Sequence, residues 1–422
     1  MARWNTIARG SALAAVAALA LAACSSSDDP STSGSPAPGG DGAALKIGSL
    51  LPQTGSLAFL GPPEIAGVDL AIEEINEAGG VLGQPVEVVH TDSSDADNPA
   101  VASASVDKLI GDGVGAIIGA ASSTVSLNVV DTVSDAAIVQ ISPANTSTAL
   151  SGYSPFYFRV APPDTIQGDV MGKLLLADGK KNISILVFND DYGTSLRDVI
   201  QATTEGGGAT IAYGKSGEEF DPKETDFDTI VGNALAPNPD AVVIVAFDQT
   251  KGIVPALVAA GYPATSIYMV DGNTADYSAD FDPGTLEGAK GTIPGAFPAQ
   301  DFQDRLNSVA PEPLTSFAYG PESYDSAMLI ALAAQKAGAT DGESIQAQMA
   351  AVSGATGGEA CSGFAECLAL LEEGKEIAYT TVAGSGPFNG DNDPSSAFIG
   401  IFVFDNANVP QWTDAVEGVV AE

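Results

Sequence analysis

From Leu45 to about Gly291, short β-branched runs alternate with longer amphipathic ones, and this alternation constrains the fold more than any other feature of the chain. Strands read at LKIGSLL (45–51), VEVVHTD (86–92), VGAIIG (114–119), IVQIS (138–142), FYFRV (156–160), ISILVFN (183–189), TIAY (210–213), AVVIVAF (241–247) and SIYMV (266–270). Helical spacing fills the intervals. PPEIAGVDLAIEEINEAGG (62–80) has Pro near its start, Ile65, Val68, Ile72 and Ile75 on one face, and Gly79-Gly80 at its end. Strands that alternate with helices imply βαβ units and an α/β fold with parallel-rich sheets. A second helical block, about 299–375, precedes late strands near 379–383 and 398–404, and no internal repeat shows beyond the alternation itself.

The chain is longer than one hydrophobic core usually serves, so two lobes are expected. Two extended connections break the alternation, FRVAPPDT (158–165) and KGTIPGAF (290–297), and GSGPFNGDNDP (384–394) is a third candidate. If each carries the chain across, lobe 1 is residues 45–160 with 294–384 and lobe 2 is 161–293 with 385–422. Three connections of this kind make a hinge that bends while the lobes stay rigid.

The chain opens with Arg3 and Arg9 ahead of an apolar run from about Leu13 to Ala23, shorter than the ~20 residues that span a bilayer, so residues 1–23 read as an export signal. The run stops at Leu21-Ala22-Ala23-Cys24, which resembles the lipobox of bacterial lipoproteins; cleavage there leaves Cys24 to carry acyl chains and anchor the protein to the outer face of the cell membrane. Residues 24–44 are rich in Ser, Pro and Gly and read as a disordered tether. The whole chain has 16 basic and 54 acidic residues; without Arg3 and Arg9 the balance is 14 − 54 = −40. With no basic face visible, nucleic-acid binding is excluded. Cys361 and Cys367 remain in EACSGFAECLALLEEG, and in an oxidising compartment they form a small local disulfide. Zinc fails, because no second ligand pair exists and His90, the sole histidine, is distant in sequence.

Catalytic motifs are missing. There is no G-x-S-x-G, GATIAYGKS (208–216) is one residue too long for a phosphate loop, and GDGVGA (111–116) precedes its strand where a dinucleotide fingerprint follows one. DSSDADNPAVAS lacks the Gly and distal Glu of a calcium loop and reads as a helix cap. No catalysis, cofactor or metal is expected. What remains is a set of polar, scarcely charged strand ends. Ser122-Ser123-Thr124 follow VGAIIG and open a helix, and SPANTS (142–147) follows IVQI. Hydroxyls and free N–H groups there either cap helices or hold a carboxylate without Arg or Lys. Beyond the first crossing, NDDYGTS (189–195), VAFDQT (245–250) and MVDGNT (269–274) end three more strands; Asp271 can take an ammonium, and Tyr192 and Phe247 can cover an apolar group, unless Asp271 only begins a turn and the rings are edge residues.

The lipobox, SLLPQTGSLAFLGPPEIAGVDLAIEEINEAGGVLG, IIGAASSTVS, ISPANTS, the FNDDYG element and SGPFNGDNDPSSAFIGIFVF together resemble the extracytoplasmic solute-binding proteins of branched-chain amino-acid ABC transporters. The likeness runs from Leu45 to about Asp405 and rests on the order and spacing of these elements. It implies the type I periplasmic binding protein fold, two Rossmann-like lobes joined by a three-strand hinge, and a monomer that closes on a small solute and hands it to permease subunits. It further implies that Ser123, Ala144 and Thr146 hold the α-carboxylate, that Tyr192 and Phe247 face the ligand from the other lobe, and that Phe59 or Leu60 with Tyr319 line the side-chain region. The family keeps a carboxylate just after the strand that matches SIYMV, where this chain offers Gly272 or Asp271, and Asp271 is taken as partner of the α-ammonium. Without an acid in the pocket, an amide, a urea-like compound or an aromatic acid becomes the expected solute. An exported ligand sensor of the same fold is the alternative from another class.

Overall fold

The computed structural model describes residues 44–420. In chain order the first lobe begins with β1 (Lys46–Leu51), α1 (Gly61–Glu77), β2 (Glu87–Asp92), α2 (Pro99–Asp112), β3 (Ala116–Gly119), α3 (Ser123–Asp135), β4 (Val139–Ser142) and β5 (Tyr157–Arg159). These strands form one parallel sheet in the order β2-β1-β3-β4-β5. β3 and β4 are buried at every position because helices cover both sheet faces, which explains their unbroken apolar runs.

The chain crosses at 160–163 and builds the second lobe: α4 (Asp164–Ala177), β6 (Asn182–Val187), α5 (Asp191–Gly206), β7 (Thr210–Tyr213), α6 (Asp228–Leu235), β8 (Ala241–Val245), α7 (Thr250–Ala259), β9 (Ile267–Met269) and β10 (Lys290–Pro294). It returns to the first lobe with α8 (Gln300–Val309), α9 (Gly320–Ala337), α10 (Gly342–Val352), β11 (Glu359–Cys361), α11 (Gly363–Glu372) and β12 (Ile377–Tyr379), where α9 packs along α1. A last crossing leads to β13 (Ser396–Phe404) and β14 (Pro410–Val419), which extend the second sheet to β14-β13-β10-β9-β8-β6-β7. β13 and β14 are antiparallel additions; the other five strands are parallel.

Reading β7-β6-β8-β9-β10 against β2-β1-β3-β4-β5 exposes a topological repeat with no counterpart in residue identity. Each sheet reverses direction of growth beside its first strand, and such a switch point opens a crevice at the carboxyl ends of the strands. The three crossings are tied to one another: Ala296 N–H donates to Ala383 C=O (2.9 Å), and Ser385 Oγ donates to Val160 C=O (2.9 Å). The last crossing is pinned to the first lobe by Arg159, fully buried, whose Nη2 donates to Asp393 Oδ2 at 2.9 Å.

Three details differ from the expected elements. KGTIP is a strand between two partners, not a bare connection; its Pro294 is the terminal residue, where a missing N–H is tolerated, and Gly291 leaves space for Thr274, whose Oγ1 would sit 2.3 Å from a Cβ at 291. β14 and β11 were not anticipated. β14 has no buried face to give it a period, and it forms because β13 needs an antiparallel partner. β11 is three residues paired with β12, and the disulfide Cys361–Cys367 ties its end to α11.

Candidate functional site

On the first lobe the site begins where β3 ends. Ser122 caps α3, its Oγ accepting the Val125 N–H at 3.3 Å, so that hydroxyl is structural. The N–H groups of Ser123 and Thr124 in the first turn have no intrahelical acceptor and sit at the positive end of the helix dipole. Ser123 Oγ accepts the N–H groups of Ser147 (3.2 Å) and Thr146 (3.4 Å), which ties the loop after β4 to this helix end. Within that loop Ser142 Oγ accepts the N–H groups of Ala144 (3.2 Å) and Asn145 (3.0 Å). The Ala144 N–H is therefore committed within the loop. Thr146 Oγ1 is buried with no partner.

On the second lobe Asp190 caps α5 through Oδ1 and the Tyr192 N–H (2.9 Å), which puts the tyrosine in the first turn. The Tyr192 ring stacks on Phe247 at 5.4 Å and 11°. Gly272 allows that packing, because a Cβ there would lie 2.8 Å from the Phe247 ring. Asp271 follows β9 and accepts three hydrogen bonds: from Tyr192 Oη (2.6 Å) and Gln167 Nε2 (2.8 Å) on its own lobe, and from Tyr319 Oη (2.6 Å) on the other. Burial raises the Asp271 pKa, against the three donors that favour the carboxylate. Tyr319 stands at the start of α9 with φ +60°, a strained backbone for a bulky residue.

These two surfaces face each other across a cavity of about 20 Å³ lined by Leu60, Ser123, Ala144, Thr146, Tyr192, Phe247, Asp271 and Tyr319, with Leu57 and Ala121. Phe59 does not line it; it is half-buried and packs against the core beside Leu57 and Leu60. Toward solvent the gap widens into a vestibule of about 340 Å³ with Ser56, Asp95 and Asn189 on its walls. There the lobes already touch, Thr124 Oγ1 donating to Asp191 Oδ2 at 2.7 Å and Thr148 N–H donating to Ser195 Oγ at 3.0 Å.

Two polar residues escaped the sequence reading. Asp164 opens α4 just past the first crossing, fully buried, neither carboxyl oxygen in hydrogen-bond geometry with a partner. Burial pushes its pKa to about 7, although the nearby Ser195 and Thr146 hydroxyls pull it down. Gln167, one turn later, spends its amide N–H on Asp271 and keeps a buried, unpartnered Oε1. Thr146, Asp164 and Gln167 thus gather buried polar groups beside Asp271, with Gln167 Oε1 left without a partner and the Thr146 hydroxyl next to the Asp164 carboxyl. The signal for Asp164 was the stretch PPDTIQG, which reads as a capped helix start following a connection. His90 lies elsewhere, its ring nitrogens 2.7 Å from Ser49 Oγ and 2.8 Å from Asp69 Oδ1. Cys24 lies outside the described residues. No helix among the described residues is long and apolar enough to cross a membrane.

The sequence profile of the family described as periplasmic binding protein matches residues 44–366. The Leu/Ile/Val-binding protein homolog 3 of Brucella melitensis biotype 1 is 25% identical over 381 residues, covering 87% of this chain and 93% of that protein. The Leu/Ile/Val-binding protein BraC3 of Rhizobium johnstonii is 27% identical over 213 residues, which is 50% of this chain; the match spans 57% of that relative's length. Among solved structures, the branched-chain amino acid transporter substrate binding protein of Streptococcus pneumoniae in complex with isoleucine superimposes with a TM-score of 0.72 at 21% identity, covering 89% of this chain and all of that one. With two parallel-rich lobes facing each other at their switch points, and a family match over most of its length, the chain belongs to the periplasmic binding protein family.

Proposed function

We propose that this protein is the lipid-anchored substrate-binding component of an ABC importer, which captures a branched-chain amino acid or a similar small solute between its lobes and delivers it to the permease. The observation that carries the reading is the convergence of Ser123, Ala144 and Thr146 from one lobe with Tyr192, Phe247 and Asp271 from the other on one cavity. In this pose the solute carboxylate takes the Ser123 hydroxyl and the free N–H groups at the start of α3. The ammonium lies against Asp271, with the orphaned Thr146 hydroxyl and the Asp164 carboxyl beside it. Leu57, Leu60, Phe247 and Tyr319 receive the side chain.

A cavity of about 20 Å³ holds no amino acid, so capture requires the lobes to part about the three crossings and close again around the solute. Lobe 1, residues 45–160 with 294–384, and lobe 2, residues 161–293 with 385–422, move as the two bodies, except that Pro294 ends the lobe 2 strand β10 and the stretch through Phe388 and Asp393 stays with lobe 1. Closure supplies specificity, because every solute polar group loses water and must find a partner. The protein acts as a monomer, performs no chemistry, and sits outside the cell membrane through acylated Cys24.

A solute without an amine is the second reading, favoured by the three hydrogen bonds that already satisfy Asp271. A thermal-shift screen of the purified protein against amino acids, amides and aromatic acids separates the two. A ligand at 100 times its Kd adds about 2.7 kcal/mol of stability. Stabilisation by leucine, isoleucine or valine supports the first reading; stabilisation by amides or aromatic acids alone replaces it with the second. For the anchor, Cys24→Ala is expected to move the protein from the membrane fraction to the medium.

A further inference from the structure

Behind Tyr319, on the side away from the solute cavity, lies a separate pocket of about 250 Å³. It spans the lobes at the second crossing. Ile293 and Pro294 end β10 on one side, Phe297 and Pro298 belong to the crossing itself, Phe402 and Trp412 come from β13 and β14, and Phe317 and Glu322 come from the first lobe. Three rings are grouped along one wall, Phe297 stacked on Trp412 at 5.6 Å and tilted against Phe402 at 6.4 Å. Phe297 and Trp412 remain 46% and 43% exposed, which leaves ring faces open.

The floor of this pocket is a buried acid with no cation beside it, and burial raises the Glu322 pKa well above the ordinary carboxyl value. Glu322 lines it, is 2% exposed, and its own backbone N–H is the one hydrogen-bonding group acting on its carboxyl. The carboxyl abuts the crossing, since a Cβ at Gly295 would lie 2.1 Å from Glu322 Oε1. Glu64 of α1 stands close enough to repel it and is fully buried, with neither carboxyl oxygen partnered. Asp276 is the second acid of the lining, which contains no Lys, Arg or His; Glu64 stands behind Glu322, outside the lining. Burial holds the Glu64 and Glu322 carboxyls toward the neutral acid, and a cation placed against Glu322 supplies the partner that its charged form lacks. Aromatic faces beside them attract the same partner, because the ring quadrupole is negative over its face.

We propose that this hinge-face pocket is a second small-molecule site that takes an organic cation, an apolar or aromatic body carrying a protonated or quaternary nitrogen, with the nitrogen toward Glu322 and the body against Phe297, Phe402 and Trp412. The pocket is distinct from the solute cavity, and Tyr319 is the one residue that lines both. Its position against residues 293–298 means that an occupant touches both lobes and the segment that must bend when they part.

Isothermal titration of the full chain with benzyltrimethylammonium tests this, alongside neutral 2-phenylethanol and anionic phenylacetate as probes of similar size. The cation is expected to bind saturably with a Kd below about 1 mM, at least tenfold tighter than either companion. Glu322→Gln is expected to weaken it tenfold or more. Phe297→Ala, at a half-exposed ring whose loss leaves the core intact, is expected to weaken it while leaving solute-induced thermal shifts unchanged. Asp271→Asn is expected to leave it unaltered, which separates this pocket from the solute cleft. The proposal is overturned if the cation gives no saturable heat, if phenylacetate binds as well, if Phe297→Ala and Glu322→Gln both retain full affinity, or if Asp271→Asn abolishes the binding.

Discussion

Replacing Asp271 by Asn keeps the size of the side chain, removes its charge, and turns one acceptor into a donor where two tyrosine hydroxyls and the Gln167 amide now all donate. In the free protein two effects oppose each other. One donor now meets a donor, at about 1–3 kcal/mol for a buried unsatisfied group, while a buried carboxylate no longer has to be desolvated. The melting temperature of the free protein is therefore expected to move little. Binding is different, because the ammonium of a bound amino acid loses its buried counter-charge. Truncating one partner of such a pair costs about 2–5 kcal/mol, or about 30-fold to about 5,000-fold in Kd. Titration calorimetry of leucine into wild type and Asp271→Asn reads the ratio, and a denaturant melt of the free variant shows that the fold survives. A Kd within threefold of wild type, with the fold intact, refutes Asp271 as the ammonium partner and leaves the three hydrogen bonds as pure scaffold.

Further expectations follow from the framework around the site. Asp393→Ala strands the fully buried Arg159 and is expected to cost about 3–5 kcal/mol in a denaturant melt; a change under 1 kcal/mol contradicts a latch between the last crossing and the first lobe. Reducing or replacing Cys361 and Cys367 opens a ring with a sequence separation of 6 and is expected to cost about 2 kcal/mol, read as a lower Tm in dithiothreitol. Burial holds Asp164 protonated up to about pH 7, whereas an unfolded aspartate ionises near 3.8; the folded state binds the extra proton between these values, so this contribution is full below about pH 4 and is lost as pH rises through 7. Asp164→Asn is accordingly expected to flatten the fall in free-protein stability between about pH 4 and pH 7, and a profile identical to wild type rejects it.

Much of this architecture was legible because burial on both faces forces it into the residue pattern. AVVIV and AIIG have no polar position to spare, and Ser122 announces the start of α3 as a cap does. The polar strand ends Ser123, Thr146, Tyr192 and Asp271 could be found because they follow such strands immediately. Asp164 and Gln167 could not, since they reach the site from a helix that starts after a crossing, and only the closed topology brings that helix end beside Thr146. Leu57 rather than Phe59 faces the cavity because the turn after β1 winds into α1, and side-chain direction in such a turn has no periodicity to betray it. β14 is bordered by solvent and carries acids at exposed positions, so its strand character exists only as a partner of β13.

In the proposed binding mode one cavity reads both ends of an amino acid, the carboxylate at the start of α3 and the ammonium at Asp271. Titrating the protein with leucine, with leucinamide, which lacks the carboxylate, and with 4-methylpentanoate, which lacks the ammonium, tests it in a single experiment. Leucine is expected to bind at least a hundredfold tighter than either analogue; either analogue binding as tightly as leucine would contradict recognition of the end it lacks.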